Sequence, residues 1–375
     1  MEICLLGAGN QGRVVASDLS ALGHRVTVLD NNLENLLNLK KRRNIKPLLF
    51  DVRNKRRLVN FLKDFEMVIG ALPGNFGFYA MECAITAGVD MVDMSYLPED
   101  PFLLNEEAKK RKIRIVPDAG FAPGLSNILV GETYEEWKRI DSLRILVGGI
   151  PQNPVPPFNY YLTWSVADLL EEYTRPARIR KNFKMITLPA LSGVEEFRVR
   201  GIGKLEAFYT DGLRTLLKSF PEISDMEEKT IRYPGHAQLF KAIIEAGFLT
   251  EREIKFDNQK IKPKNFTLAF LKDCLTKGDG RDLAILILEL KRGEERRRYL
   301  CLDYYDEKRK ITAMARMTGY TCSVIAQCLK EYPDFGIIPP EYLGKNKDFG
   351  RFIKKELKKR GIWIRKKEMR IKGDA

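Results

Sequence analysis

Apolar runs of strand length alternate with helical patterns through the first 120 residues, and this alternation restricts the fold more than any other feature. The runs fall at 3–6, 26–29, 48–50, 67–71, 91–92 and 113–116, with helical patterns at 13–22, 33–41, 55–65, 76–87 and 103–112. Strands and helices in strict turn give βαβ units, so the expected fold is α/β: a doubly wound parallel sheet of Rossmann type over 1–120. From 121 to 318 strands follow strands, at 143–150, 183–188, 194–200, 205–209, 283–290 and 298–304, with shorter helices at 165–173, 236–246 and 267–275. That segment reads as a mixed α+β domain with its own sheet, and 319–375 reads as a return to the first domain.

The first turn carries the sharpest motif. Gly7, Ala8, Gly9, Asn10, Gln11 and Gly12 follow strand one directly and open the first helix. Gly7 makes the tight turn, Gly9 admits the backbone to a pyrophosphate, and Gly12 lets helix and strand pack closely, with the helix N-terminus facing the anion. Strand two ends at Asp30, 18 residues past Gly12, and is followed by Asn31. An acid there accepts hydrogen bonds from both adenosine ribose hydroxyls and repels a 2′-phosphate, so NAD is the expected cofactor.

The other strand ends supply further candidates, since ligands of such sheets bind outside the carboxyl edge. Asp51 and Val52 are placed for the adenine, and Ala71, Leu72 and Pro73 for the nicotinamide ribose. Asp93 with Tyr96, and Asp118 before a loop rich in Gly and Pro, complete the edge. Two plainer readings stand beside these: Asp93 as a helix cap and residues 120–124 as a domain joint.

The net charge of +14 invites a polyanion, yet 351–372 holds 11 basic residues against two acidic ones, which leaves only +5 elsewhere. Apolar residues interleave with that charge, so a docked helix and strand with a solvated basic face is expected rather than a nucleic-acid site. Six scattered cysteines without a CxxC pair, and only two histidines, argue against a disulfide framework and against a metal centre. The most apolar stretch, 283–290, is far shorter than the roughly 20 residues of a membrane helix, and residue 3 already begins a strand. A cytoplasmic protein without a leader or membrane contact is expected. Five glutamines among dense Lys, Arg and Glu match a thermophilic source.

In the second domain the polar candidates for a cleft shared with the first are Tyr160, Glu172, Arg175, Arg178, Thr210, Arg214, Arg232 and His236. Arg175 and Arg178 flank Pro176 and suit a carboxylate, and His236 opens a helix after Pro234 and Gly235.

Taken in order, residues 7–12, 71–74, 118–127, 148–151 with 160–165, 205–208, 210–216 and 232–235 resemble the saccharopine dehydrogenase-like oxidoreductases over nearly the whole chain. The likeness is strongest to their lysine 6-dehydrogenase branch. Saccharopine-reducing members carry Leu-Asp-Pro-Gly-Ile-Asp-His after strand six, where this chain has Phe121, Ala122, Pro123, Gly124, Leu125, Ser126 and Asn127. The lost acids and histidine point to a smaller amine. What the resemblance implies is oxidative deamination of L-lysine at its terminal amine: hydride passes to NAD, and the imine hydrolyses to ammonia and 2-aminoadipate 6-semialdehyde, which cyclises to 1-piperideine 6-carboxylate. It also implies a homodimer built on strands of the second domain. The ammonium must first lose a proton, and Asp93 or Asp118 is the expected base, with Tyr96 or His236 as relay. A substrate carboxylate suits Arg175, Arg178 or Arg214. Saccharopine or carboxynorspermidine chemistry is the nearest alternative, and an NAD-responsive binding protein with a nucleic-acid-contacting tail is the alternative of another class.

Overall fold

The computed structural model describes residues 1–37, 39, 43–257 and 259–370. Lys41, the end of one expected helix, and Lys372, the last basic residue of the tail, lie outside them. The chain forms two compact units, Met1–Ile140 with Met314–Ile364, and Asp141–Ala313 with the segment from Arg365.

The first unit is a seven-stranded parallel sheet. Its strands are β1 (Glu2–Leu6), β2 (Arg25–Asp30), β3 (Ile45–Leu49), β4 (Met67–Gly70), β5 (Met91–Asp93), β6 (Arg114–Val116) and, last, Gly336–Ile337. The spatial order runs β3-β2-β1-β4-β5-β6 and then Gly336–Ile337, so the chain reverses direction across the sheet between β1 and β4. Apolar side chains cover both sheet faces because every crossover is helical. Leu6, Val68, Met91 and Ile115 pack with Leu58, Leu62, Met81 and Ala84 of two helices, and helix α1 (Asn10–Ala21) buries Val14, Val15, Ala16 and Leu19.

The compact division falls about 20 residues beyond the expected boundary at 120. Helix Leu125–Trp137 stays with the first unit because it packs tightly on helix Pro340–Lys345. Glycines make that approach possible: a Cβ on Gly131 would strike the Glu341 carbonyl, and one on Gly344 the Ile128 carbonyl. The tail also divides. Helix Lys347–Lys359 buries Gly350, Ile353, Glu356 and Leu357 in the first unit, whereas strand Ile364–Arg370 joins the edge of the second unit's sheet.

That second sheet has nine strands and mixed direction. Its members are β7 (Ser142–Pro151), β8 (Ala177–Lys181), β9 (Lys184–Leu188), β10 (Glu195–Val199), β11 (Gly203–Tyr209) and β12 (Asp225–Arg232), followed after the small hairpin β13 (Ile254–Phe256) and β14 (Gln259–Ile261) by β15 (Asp282–Arg292), β16 (Glu295–Tyr304) and Ile364–Arg370. β12 pairs parallel with β7, and β15 pairs antiparallel with β7 along its whole length. Helices Val166–Thr174, His236–Glu245 and Pro263–Leu275 cover Phe208 with Leu169, Tyr173, Phe240, Leu271 and Leu275. Among the described residues no helix is long and apolar enough to cross a membrane.

Candidate active site

In the first unit the glycine turn lies at the point where the strand order reverses. Gly7 has a φ of +104°, and a Cβ there would collide with the Ala71 carbonyl just past β4. A Cβ on Gly12 would strike the Gly7 carbonyl, which is why helix and strand can approach only with glycine there. Gly9 differs, because a Cβ on it would meet nothing within 4 Å. The protein therefore leaves open the one glycine whose backbone a pyrophosphate must approach, at the N-cap of α1. Asn10 is exposed, Gln11 is half-buried, and Asn10 Oδ1 accepts from Arg13 Nη2 at 2.6 Å. Arg13, not singled out from the sequence, thus adds a cation to the same first turn.

Asp30 is tied to this turn. Its Oδ2 accepts from the Ala8 N–H at 2.8 Å, its Oδ1 from Asn32 N–H at 2.7 Å, and the Asn35 amide lies at 3.2 Å. Asn31 is exposed beside it. Asp51 stands at the expected strand end, but Arg53 forks its carboxylate at 2.9 and 2.6 Å and holds its pKa down at about 2. The half-buried Val52 accepts through its carbonyl from Tyr79 Oη. Ala71 and Leu72 are half-buried and Pro73 exposed, on the turn that backs Gly7. These residues fit a dinucleotide: an open glycine, a helix N-terminus with an arginine, and a carboxylate pinned next to the turn.

Asp93 and Asp118 come together at the neighbouring strand ends. Asp93 is fully buried; Oδ1 accepts from the Ser95 N–H at 2.9 Å and from Ser95 Oγ, while Oδ2 packs against Gly70 with no hydrogen-bond partner. Burial, helped by the charge of Asp118, pushes its pKa up to about 7. Asp118 is 1% exposed and holds a φ of +52°, a backbone conformation costly for any residue with a Cβ. Tyr96 is half-buried just beyond Ser95. Neither acid meets solvent directly, so a proton reaches Asp93 only through another group.

In the second unit, Tyr160, Glu172, Thr210, Arg232 and His236 form one connected network, buried but for the half-buried Glu172. Arg232 donates through Nε to Tyr173 Oη at 2.8 Å and through Nη2 to Glu172 at 3.1 Å, and lies 4.7 Å above the Tyr160 ring. Trp164 Nε1 donates to Tyr160 Oη at 3.1 Å. With its oxygen taken by Arg232, Tyr173 gives its own hydrogen to His236 Nε2 at 2.8 Å, and His236 Nδ1–H donates to the Phe158 carbonyl at 2.8 Å. The expected relay role of His236 is corrected here. The ring is 0% exposed, both nitrogens are occupied, and burial with the charge of Arg232 drives its pKa down to about 3. Its ring signals should stay unchanged from pH 8 to pH 5 in an NMR titration; a midpoint in that window would return it to the proton-transfer candidates.

Arg178 is corrected as well. Its fork is closed on Asp211, at 2.9 and 2.7 Å, and so is not open to a substrate carboxylate. Arg175 caps helix Val166–Thr174, half-buried, and Arg214 is 6% exposed with a φ of +52° in the turn after β11. Asp211 and Glu228 were missed from the sequence. Period-two alternation along β12 puts Glu228, Thr230 and Arg232 on one face, and that was the available signal.

Two family models match, the saccharopine dehydrogenase NADP binding domain over residues 3–116 and the saccharopine dehydrogenase C-terminal domain over 120–362. The chain belongs to the saccharopine dehydrogenase family. Among curated relatives, the NADP-dependent, L-glutamate-forming saccharopine dehydrogenase of Saccharomyces cerevisiae is 27% identical over 67% of this chain and 59% of that protein. The enzyme of the same name from Pyricularia oryzae is 25% identical over 72% of this chain and 63% of its own length. The chain thus spans about three fifths of the length of these two relatives. The apo yeast L-Glu-forming saccharopine dehydrogenase structure has the same fold, with a TM-score of 0.79 at 21% identity over 98% of this chain and 99% of that one.

Proposed function

We propose that the chain is a pyridine-nucleotide-dependent amine dehydrogenase that oxidises the terminal amine of L-lysine with NAD, releasing ammonia and 2-aminoadipate 6-semialdehyde. The observation that carries the choice of a small amine is the loop 121–127. Asn127 is fully buried, its Oδ1 accepting from Gly124 N–H and Ser126 Oγ and its Nδ2 donating to Glu341 at 3.0 Å. With Ala122 and Ser126 beside it, the loop offers no charged group to a second, anionic amino acid such as the glutamate part of saccharopine.

When bound, the nicotinamide supplies the hydride acceptor. The rest falls to the chain. Gly9, the α1 N-terminus and Arg13 hold the pyrophosphate, and Asp30 holds the ribose. Asp93 takes up the proton that the amine must lose, through the half-buried Tyr96, because its proton affinity lies near neutrality. Asp118 favours that uptake by its charge. Arg178, its fork spent on Asp211, takes no part in holding the substrate.

The preference for NAD rests on Asp30. Asp30→Arg should weaken NAD binding by about tenfold or more and favour NADP, since a guanidinium would meet the 2′-phosphate that a carboxylate repels. An unchanged ratio of the two cofactors' KM values removes Asp30 from the ribose site. The saccharopine reading is the second one, supported by the NADP-dependent relatives. Absorbance at 340 nm, with NAD or NADP and L-lysine, saccharopine or ornithine, tests both. Reduced cofactor with ammonia from L-lysine supports the first reading, and reduced cofactor with glutamate from saccharopine replaces it by the second.

A further inference from the structure

The buried acid Glu228 plays no part in the mechanism above. Glu228 is 2% exposed on β12, and both its hydrogen-bonded neighbours meet the same oxygen: Oε2 lies 2.7 Å from Thr210 Oγ1 and accepts from the Gly212 N–H at 3.0 Å. Oε1 has no hydrogen-bond or ionic partner among the described residues. It is also not among the sealed, partnerless oxygens such as Asp93 Oδ2, so it carries the outlet of the carboxyl group.

Charge is uneven around it. Three acids face one another here, and two are answered, Glu172 by Arg232 and Asp211 by Arg178. Glu228 has no such cation, although Arg214 is buried in the same turn as Thr210. The hydrogens are uneven too. Glu172, Thr230, Thr210 and Glu228 are linked by three contacts of 2.6, 2.8 and 2.7 Å, but the two threonines own only two hydroxyl hydrogens. Glu172 is ionised against Arg232, so Thr230 donates to it and Thr210 donates to Thr230. The third hydrogen then belongs to Glu228, which is protonated. Burial, and the charges of Glu172 and Asp211, hold that proton well above the usual carboxylate range.

We propose that Glu228 is the seat of a primary ammonium group of the substrate in the second unit. The docking step balances as a neutral carboxyl and an alkylammonium giving a carboxylate–ammonium pair, with the carboxyl proton released to water. A protonated carboxyl keeps the site neutral, and only a cation small enough to reach Oε1 draws out the charge. The proposal rests on the reading of the chain as an amine dehydrogenase only in calling the ligand a substrate.

Titration calorimetry on the full chain with reduced cofactor bound tests it, using L-lysine, 6-aminohexanoate, which lacks the 2-ammonium, and L-norleucine, which lacks the 6-ammonium. Binding of L-lysine to wild type should release about one proton near neutral pH, read from the dependence of the heat on buffer ionisation, and should tighten as pH rises. Glu228→Gln, which imitates the protonated side chain, should abolish the release and weaken L-lysine about tenfold or more. It should also weaken one of the two analogues, which identifies the ammonium seated, and leave the other unchanged. Gly212→Ala, whose Cβ would come within 2.5 Å of the carboxyl, should act in the same direction. No proton release in wild type, no binding of any of the three, or an equal effect on both analogues overturns the assignment. Turnover separates the two proposals: proton-linked binding without cofactor reduction sinks the dehydrogenase reading alone, and reduction by L-lysine with an unchanged KM in Glu228→Gln sinks this one alone.

Discussion

Arg232→Met should lower the stability of the second unit by about 3–5 kcal/mol in urea unfolding, among the largest losses that any single substitution in this chain should produce. Arg232 is 3% exposed, and removing its guanidinium strips Glu172 of its ion pair, Tyr173 of a donor and the Tyr160 ring of its cation. Methionine fills much of the volume, so the loss reports the stranded charge rather than a cavity. Two controls separate these causes. Glu172→Gln added to Arg232→Met should recover a large part of the loss, because the stranded charge is gone, and Arg232→Lys should stay poor, because an ammonium cannot serve Tyr173 and Glu172 with fixed forks. If the double variant is as unstable as the single one, packing of the arginine stem rather than charge holds this region.

The same network explains what the sequence concealed. The first unit was legible because its central strands β1, β4 and β5 are short apolar runs buried on both faces, and because a glycine turn whose reasons are steric falls between β1 and α1. β12 was not legible. Asp225–Arg232 reads as a charged surface segment, yet Glu228, Lys229, Thr230 and Arg232 are all buried, and the two cations pair with acids far away in sequence, Lys229 with Glu195 and Arg232 with Glu172. Buried polar pairs copy the composition of a solvated strand, and only the fold shows which acid met which base. β8 was lost for the same reason, as Arg180 is buried with its guanidinium capping the carbonyls of Leu217, Phe220 and Ile223. In the candidate site, residue types at strand ends pointed to Asp93 and Asp118, which the structure places as neighbouring buried acids. Chemistry at His236 was overestimated, because a histidine after Pro-Gly at a helix start looks exposed until three aromatic rings and a carbonyl close over it.

Asp93→Asn should divide stability from activity. Burial raises the carboxyl from an ordinary value near 3.8 to about 7, so the folded state binds the proton more tightly than the unfolded chain does. Wild-type stability therefore falls as pH rises from 3.8 to 7 on account of this group alone, and the deficit is complete above pH 7. Asparagine keeps the size and can still accept from Ser95, but carries no charge. The variant should match wild type near pH 4 and exceed it at pH 8 by a few kcal/mol, at most about 4 from a shift of three pH units. Turnover should move the other way, down by about 10²–10⁴-fold if Asp93 receives the amine's proton, with cofactor affinity nearly unchanged. A stability difference that does not vary with pH denies Asp93 a proton of its own. Full turnover in the variant would leave the carboxylate a structural partner of Ser95 and pass the role of base to Asp118. A buried acid that lowers stability at neutral pH, one oxygen unbonded and a second acid raising its pKa, is the arrangement expected where a fold gives up stability to keep a proton acceptor near neutrality.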